Sequence, residues 1–286
     1  MNAIDATIQH WLQGYVQKSW VFDNLVCLIN DSSLFRGSVF ATILWYLWFH
    51  FKTQRDRVVA AFASSILAVI VARIIAVLCP FRTRPLFDAA VHFRPAFEGD
   101  GVYKAAYVIG WSSFPSDHAV LFMALATGFY FISRRAGILA GVYAIAAVAF
   151  PRVYLGIHYP TDIFVGCVIG IALGAMLQTG PVRGLISRRT LAWSEQKPEL
   201  FYASAFLVTS QMATLFWEPH SLLRKLVKGL KPSWESVRHE VSVIELAGVA
   251  LCVLVAAALG TWLVYHVRNR PKAEPVGLAA RKRSVA

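Results

Sequence analysis

Three short segments of the chain hold residue types that suit phosphate chemistry. They are Arg82–Pro85 (RTRP), Pro115–His118 (PSDH) and Pro151–Asp162 (PRVYLGIHYPTD). Together they supply three guanidinium groups, two imidazoles, a hydroxyl and a carboxylate. Guanidinium groups bind phosphate oxygens through paired hydrogen bonds, and an activated imidazole is a nucleophile. The combination suits a site that holds a phosphate and attacks it.

The third segment combines Arg152, His158 and Asp162. His158 and Asp162 are four residues apart, so on a helix they share a face, where the carboxylate accepts a hydrogen bond from one ring nitrogen. The other nitrogen is then free to attack, while Arg152 binds phosphoryl oxygens as a planar fork. The same spacing also fits a histidine tied down by a carboxylate at a helix start, without a catalytic role.

The second segment predicts a helix start. Ser116 and Asp117 are favoured N-cap residues, and a long apolar run follows them. Free N–H groups and the helix dipole favour an anion there, beside which His118 could protonate a leaving oxygen. A plain cap with an incidental histidine is the alternative.

The first segment adds Arg82 and Arg84 beside a proline at the end of an apolar run. Alone, these arginines could equally anchor lipid headgroups. The three segments follow one another in the chain and each lies at the end of an apolar run. That arrangement favours one shared site over three unrelated features.

Composition indicates an integral membrane protein. Of 286 residues, 57% are hydrophobic and only 15% are charged, too little polar surface for an ordinary soluble domain. The formal charge of +12 could suggest nucleic acid, but the cations lie in short clusters between apolar runs. Such clusters are typical of cytoplasmic loops that meet anionic headgroups, so we expect no nucleic-acid partner. The four cysteines are scattered and form no metal or redox motif.

The apolar pattern predicts an all-α membrane bundle. Seven runs approach the length of a spanning helix: Leu34 to Phe51, Val58 to Leu78, Pro115 to Ser133, Gly137 to Ile157, Tyr159 to Gln178, Leu200 to Trp217 and Ile244 to Tyr265. The more polar Ile4 to Ile29 suits an interfacial helix, and Gly180 to Pro198 is the stretch most like a linker. We expect an N-terminal interfacial region (1–33), a six-helix core (34–217) and a C-terminal part (218–286).

The distribution of basic residues predicts the orientation. Alternate loops carry the clusters expected on the cytoplasmic side, among them Lys52 to Arg57, Arg134 with Arg135, and Arg183 to Lys197. All three polar segments then face outward. The loop from Glu218 to Val243 is basic but also outward, and its apolar residues recur at helical spacing. It reads as an amphipathic helix on the headgroups, or alternatively as a solvated helical loop.

The three segments resemble the signature of the type-2 phosphatidic acid phosphatase superfamily, which is K-x6-R-P, then P-S-G-H, then S-R-x5-H-x3-D. The residues that match are Arg84, Pro85, Pro115, Ser116, His118, Arg152, His158 and Asp162. The resemblance covers about Arg73 to Asp162 closely and the helical pattern from Leu34 to Trp217 more loosely.

The chain departs from that signature at three positions. Val77 replaces the lysine of the first motif, Asp117 the glycine of the second and Pro151 the serine of the third. The lysine's phosphate contact must then come from elsewhere, and Arg82 and Arg73 are the candidates. P-S-D-H is familiar among members similar to bacterial undecaprenyl pyrophosphate phosphatases. The added carboxylate of Asp117 would repel a phosphate unless it points away or pairs with an arginine.

The resemblance implies phosphoryl transfer through a phosphohistidine, without metal or other cofactor. His158 is then the nucleophile, Asp162 its orienting partner and His118 the general acid. Charge on the transferring group is stabilised by Arg84, Arg152, Ser116 and Arg82. A zinc site built from the two histidines and Asp162 is the alternative, although an arginine-rich pocket repels cations.

The expected substrate is a lipid phosphate whose tail stays in the bilayer. We expect undecaprenyl pyrophosphate first, then phosphatidic acid, phosphatidylglycerol phosphate and lipid A phosphates. The predicted location is the bacterial inner membrane, with the site on its outer side. A phosphotransferase that passes the phosphoryl group to a second lipid is an alternative, and a lipid transporter is another.

Arg73 is a charge within an apolar run. An unpaired guanidinium in a span costs at least roughly 2.5 kcal/mol, so it should reach the surface, an acidic partner or a phosphate. It lies four residues, about one helical turn, before Val77. We therefore predict that Arg73 extends into the phosphate pocket.

Overall fold

The computed structural model describes residues 1–97 and 111–214, and within these ranges the regular structure is entirely helical. The α-helices are α1 (Ala3–Gln13), α2 (Trp20–Asp31), α3 (Val39–His50), α4 (Arg55–Leu78), α5 (Asp117–Ile132), α6 (Arg134–Tyr143), α7 (Phe150–Tyr154), α8 (Pro160–Leu177), α9 (Gly180–Gln196) and α10 (Pro198–Ala213). π-Helical turns cover Leu34–Ser38 and Ala144–Ala149, and 3₁₀ turns cover Lys52–Gln54 and Pro85–Phe87. This architecture confirms the all-α bundle that the sequence predicts.

Three continuous helical stretches of the described chain are long and apolar enough to cross a membrane. They are Lys52–Leu78, Arg134–Tyr154 and Pro160–Leu177. α5 is equally apolar but has 16 residues, and α3 has 12. The predicted run from Leu200 to Trp217 overlaps α10 as far as Ala213. The predicted run from Ile244 to Tyr265 lies outside the described residues. The protein is thus a membrane protein with several apolar helices.

The centre of the bundle is formed by α4, α5 and α8: α5 packs most extensively against α8 and α4, and α4 also contacts α8. Gly166, Gly170 and Gly174 lie along one face of α8 and allow α5 to approach its backbone. A Cβ at Gly170 would lie 2.4 Å from the carbonyl oxygen of Val120, closer than any side chain allows. Small residues at this four-residue spacing are typical of close helix pairs in membranes. These three glycines, the glycine ladder of α8, therefore set the close distance between α5 and α8, which begin at the second and third motifs.

An aromatic and aliphatic core joins α3 to α4, α5 and α10. Its fully buried members include Phe40, Leu47, Phe122 and Phe129. The indole N–H of Trp48 donates to the hydroxyl of Tyr202 on α10, so this polar group is satisfied inside the apolar layer.

The N-terminal segment forms two helices where the sequence indicated one. Asn2 caps α1 by accepting from the Asp5 N–H at 2.8 Å, and Ser19 caps α2. The cap at Ser19 starts a new helix and divides the predicted element. Ile4, Ile8 and Trp11 are exposed, whereas Asp5 and Gln9 are buried against the bundle. An interfacial position for this region remains a prediction.

The stretch from Gly180 to Pro198 is not a linker. It forms α9, which packs against α4 and is held there by Arg183, whose Nε lies 2.7 Å from the carboxylate of Asp56. Pro181 at the start suits the first turn of a helix, and the arginines and leucines that follow are strong helix formers. Its polarity marks an exposed helix rather than an irregular connection.

Candidate active site

The three motifs meet at one end of the bundle because each lies beside the end of a helix. Arg82 and Arg84 follow α4, Ser116 is the N-cap residue of α5, and His158 lies between α7 and α8. Backbone hydrogen bonds join them, from Ser113 N–H to Arg82 C=O (2.8 Å) and from Ser116 N–H to Asp162 C=O (3.3 Å). The structure therefore brings together the segments that the sequence places far apart.

A tight turn presents His158. Gly156 has a φ of +69°, a left-handed conformation that glycine adopts without strain, and the Arg152 carbonyl accepts from the His158 N–H at 3.1 Å. A Cβ at Gly156 would also lie 2.6 Å from the Phe93 ring. The turn thus links the arginine and the histidine of the third motif in a fixed geometry.

The tautomer of His158 follows from its two neighbours. Its Nδ1 lies 2.7 Å from the Ser113 carbonyl oxygen, which can only accept, so Nδ1 carries the proton. Its Nε2 lies 3.2 Å from an Arg84 nitrogen, which can only donate, so Nε2 holds a lone pair. Burial and the Arg84 charge lower the pKa of His158 to about 4, against an opposing influence of Asp162. The buried ring is neutral, and its Nε2 lone pair faces the Arg84 guanidinium.

Asp162 does not make the hydrogen bond that the sequence spacing suggests. His158 precedes α8 and Asp162 lies in its first turn, so the two do not share a helix face, and Nδ1 is 3.7 Å from the carboxylate. The carboxylate instead accepts from the Tyr159 N–H at 2.8 Å and from Arg82 at 2.5 Å. Asp162 therefore acts on the histidine by charge, while Ser113 fixes the tautomer.

Arg82 lies between two carboxylates rather than beside the histidines. One guanidinium nitrogen is 2.5 Å from Asp162 and the other is 2.5 Å from Asp5, and the group lies over the Tyr159 ring. Asp5 also accepts from the N–H and hydroxyl of Thr161, at 2.9 and 2.7 Å. This network ties α1 to the first turn of α8.

His118 lies among guanidinium groups. Its Nε2 is 2.6 Å from an Arg152 nitrogen and 3.2 Å from an Arg36 nitrogen. Both arginines can only donate, so Nε2 is the acceptor and the ring is neutral in this arrangement. The second histidine of the site is thus held at a strongly cationic position.

Asp117 pairs with Arg73. The guanidinium of Arg73 contacts the Asp117 carboxylate and lies 4.5 Å from the centroid of the Trp111 ring. The ion pair offsets the charge of Asp117 beside His118, and it gives Arg73, which lies within an apolar helix, an acidic partner. Arg73 thus meets Asp117, and a direct phosphate contact by Arg73 remains a prediction.

Ser116 provides a buried hydroxyl at the start of α5. Its side chain is fully buried, its Oγ has no hydrogen-bond partner among the described residues, and it makes no capping bond to its own helix. The first N–H groups of α5 lie beside it. A hydroxyl and a helix N-terminus together suit an anion.

Sequence reasoning missed several residues that contact the site, among them Asp5, Gln9 and Arg36. Gln9 donates to the His158 carbonyl oxygen at 3.4 Å. Polar residues in an otherwise apolar N-terminal segment were the available signal for the first two. Arg36 resembles an ordinary cation at the start of a span, and nothing in the sequence distinguishes it. Among the described residues, none of the His, Cys, Asp and Glu side chains cluster as a metal site would require.

Comparison with known proteins agrees with this geometry. A family model described as the PAP2 superfamily matches residues 57–182, a range that contains all three motifs. This is the type-2 phosphatidic acid phosphatase family that the motifs resemble, and the match supports a lipid phosphatase.

Individual relatives are more distant. The chain is 24% identical over 163 residues to the undecaprenyl-diphosphatase BcrC of Bacillus subtilis, covering 57% of this chain and 77% of that protein. Over 60 residues it is 37% identical to the bacitracin transport permease protein BcrC of Bacillus licheniformis, covering 21% and 29%. Over 67 residues it is 36% identical to the decaprenylphosphoryl-5-phosphoribose phosphatase of Mycobacterium tuberculosis, covering 23% and 36%. No solved structure matches the chain significantly.

Proposed function

We propose that this protein is a prenyl diphosphate phosphatase of the bacterial inner membrane, with undecaprenyl diphosphate as its first-choice substrate. The observation that carries the proposal is the state of His158, which is neutral, buried and directs the Nε2 lone pair toward Arg84. Two of the relatives, an undecaprenyl-diphosphatase and a decaprenylphosphoryl-5-phosphoribose phosphatase, support the choice of lipid.

The proposed reaction has two steps. Nε2 of His158 forms a bond to the terminal phosphorus while the bond to the bridging oxygen breaks, and the electron pair stays on the lipid monophosphate that leaves. Where the leaving oxygen needs a proton, Nε2 of His118 first takes one from water, because it is unprotonated in this arrangement, and then donates it. Water then cleaves the N–P bond, releases inorganic phosphate and restores His158.

The guanidinium groups replace a metal in this proposal. Arg84 lies at the attacking nitrogen and Arg152 at His118, so both are placed to bind the oxygens on which negative charge develops. Several fixed positive charges in a small buried volume also oppose the entry of a cation. We therefore expect activity without a divalent metal.

The position of the site suits an amphiphile. α4 begins at Arg55, near the basic loops, and ends at Leu78, just before the first motif. At its first end, Arg57 donates to the carbonyl oxygen of Phe131 and accepts from Gln178. The site therefore lies at the end of the bundle opposite these loops, on the outer side if they face the cytoplasm. A tail in the bilayer could then place its headgroup among the helix ends.

Purified protein in detergent tests the proposal through phosphate release. We expect release from undecaprenyl diphosphate in the presence of EDTA, and less from phosphatidic acid. His158→Gln should abolish phosphate release and the formation of an acid-labile phosphoenzyme. Arg135 is an exposed cation at the basic end of the bundle, so Arg135→Met should leave both unchanged. A wild-type protein that needs added metal, or a folded His158→Gln variant that retains turnover, would refute it. Radiolabel transferred to an added acceptor lipid would indicate a phosphotransferase.

A further inference from the structure

Arg36 belongs to the site although it lies outside all three motifs. It is part of the π-helical turn Leu34–Ser38, between α2 and α3. That turn projects the guanidinium to 3.2 Å from Nε2 of His118, while Arg36 also donates to the carbonyl oxygens of Asp31 and Ser32. π-Helical turns inside helices are frequent at functional sites.

The cations of the site are divided unequally between its two histidines. Arg84 contacts His158, whereas Arg152 and Arg36 both contact His118. Arg73 is also close to His118, but its charge is offset by Asp117. Two guanidinium groups therefore contact the histidine proposed to serve the leaving group, and one contacts the histidine proposed to attack.

An alcohol and a phosphate make different demands as leaving groups. An alcohol needs a proton, which one histidine supplies, whereas a phosphate departs with its own negative charges and needs fixed cations. Two arginines at a single imidazole exceed what an alcohol requires. The excess matches a leaving group that is itself a phosphate.

We propose that Arg36 binds the lipid-proximal phosphate of a diphosphate substrate and makes this site selective for diphosphates over monoesters. The inference rests on the proposed phosphatase function and assigns Arg36 part of the charge that the family's lysine would supply at Val77. When the substrate binds, Arg36 and Arg152 transfer their hydrogen bonds from Nε2 of His118 to phosphate oxygens. The P–O bond cleaved is still the terminal one, and its electron pair remains on the phosphate that Arg36 holds.

The experiment compares the effect of Arg36→Met on two substrates. For farnesyl diphosphate, kcat/KM should fall roughly 100-fold, the scale for one lost charge-stabilising donor, while that for phosphatidic acid should fall less than about threefold. Arg36→Lys should recover part of the diphosphate activity. Arg135→Met serves as the matched charge control, with no change on either substrate.

A second measurement does not depend on turnover. Protection against thermal unfolding by methylenediphosphonate should weaken in Arg36→Met, while protection by inorganic phosphate should persist. If Arg36→Met lowers kcat/KM equally for both substrates, or weakens protection by both ligands equally, Arg36 only supports the local fold. If neither kcat/KM nor protection changes, Arg36 does not belong to the site. If wild-type protein releases no phosphate from any lipid, the proposed function itself fails, an outcome visible before any Arg36 variant is made.

Discussion

At the scale of single residues, the tautomer and protonation of His158 are set by the groups around it. The Ser113 carbonyl oxygen fixes the proton on Nδ1, the Arg84 guanidinium faces Nε2, and Asp162 lies 3.7 Å away. The lowered pKa keeps the ring neutral at ordinary pH, so its lone pair is available without a separate base.

The same pKa shift predicts how stability depends on pH. An unfolded histidine binds a proton below about pH 6.5, whereas folded His158 does so only below about pH 4. Between these values the unfolded chain binds more protons, so the free energy of unfolding falls as pH falls from 6.5 to 4. As pH is lowered over this range, the melting temperature of the detergent-solubilised protein should fall more steeply for wild type than for His158→Gln. Parallel curves would show that burial of His158 contributes nothing to the pH dependence.

The three motifs supplied most of this local picture in advance, because their residue types are few and their order is specific. The contacts of Arg82 could not be anticipated, since its partner Asp5 lies 77 residues earlier in the chain. Asp162 likewise was expected to bond His158 because helical spacing ignores where the helix begins. The structure begins α8 at Pro160, after the histidine, and that boundary alone changes the partner.

At the scale of elements, α1 contributes to a site whose motifs are all on other segments. Asp5 accepts hydrogen bonds from Thr161 and Arg82, and Arg82 in turn contacts Asp162. These links position the first turn of α8 under His158. The sequence could not predict this contact, because it depends on a single buried carboxylate and a single residue forms no periodic pattern.

Asp5→Asn tests this positioning role. Asparagine keeps an acceptor for the Thr161 N–H but removes the charge that holds Arg82, so we expect kcat to fall about tenfold with KM little changed. Asp56→Asn, which removes a carboxylate paired with Arg183 at the other end of the bundle, is the matched control. A rise in KM alone would instead indicate that Asp5 affects substrate binding.

The glycine ladder of α8 sets a second element-scale prediction. In Gly170→Ala the new Cβ would lie 2.4 Å from the Val120 carbonyl oxygen and 3.0 Å from the Ala124 nitrogen, so α5 and α8 must separate. Overpacking of this kind costs about 1–3 kcal/mol and should lower both the melting temperature and kcat. Gly184→Ala has nothing within 4 Å of its new Cβ, so its melting temperature should be unchanged or higher. Equal behaviour of the two variants would show that the close approach is unimportant.

At the scale of the whole molecule, the apolar runs predicted the helical class, but the lengths of the helices needed the structure. α3 and α5 fall short of the runs that contain them, because π-helical residues precede α3 and α5 starts only at Asp117. The stretch from Gly180 to Pro198, which the sequence indicated as a linker, instead forms the exposed helix α9. Such a helix needs apolar residues only where it contacts α4, so the sequence shows no long apolar run there.

Orientation is testable by cysteine labelling in intact spheroplasts. In a variant without the four native cysteines, Ala90→Cys lies on the segment after the first motif and Arg135→Cys lies among the basic residues of the other end, and both positions are exposed. A membrane-impermeant maleimide should label the first and spare the second until the membrane is permeabilised. The reverse pattern would place the active site in the cytoplasm.

The bond between α1 and α8 also bears on when the enzyme becomes active during synthesis. Asp5 is made well before its partner Thr161, which follows 156 residues later. A ribosome must therefore pass Thr161, in the first turn of α8, before this contact can close the site. Asn2 is part of that closure, since it caps α1 and donates to Asp5 at 2.9 Å.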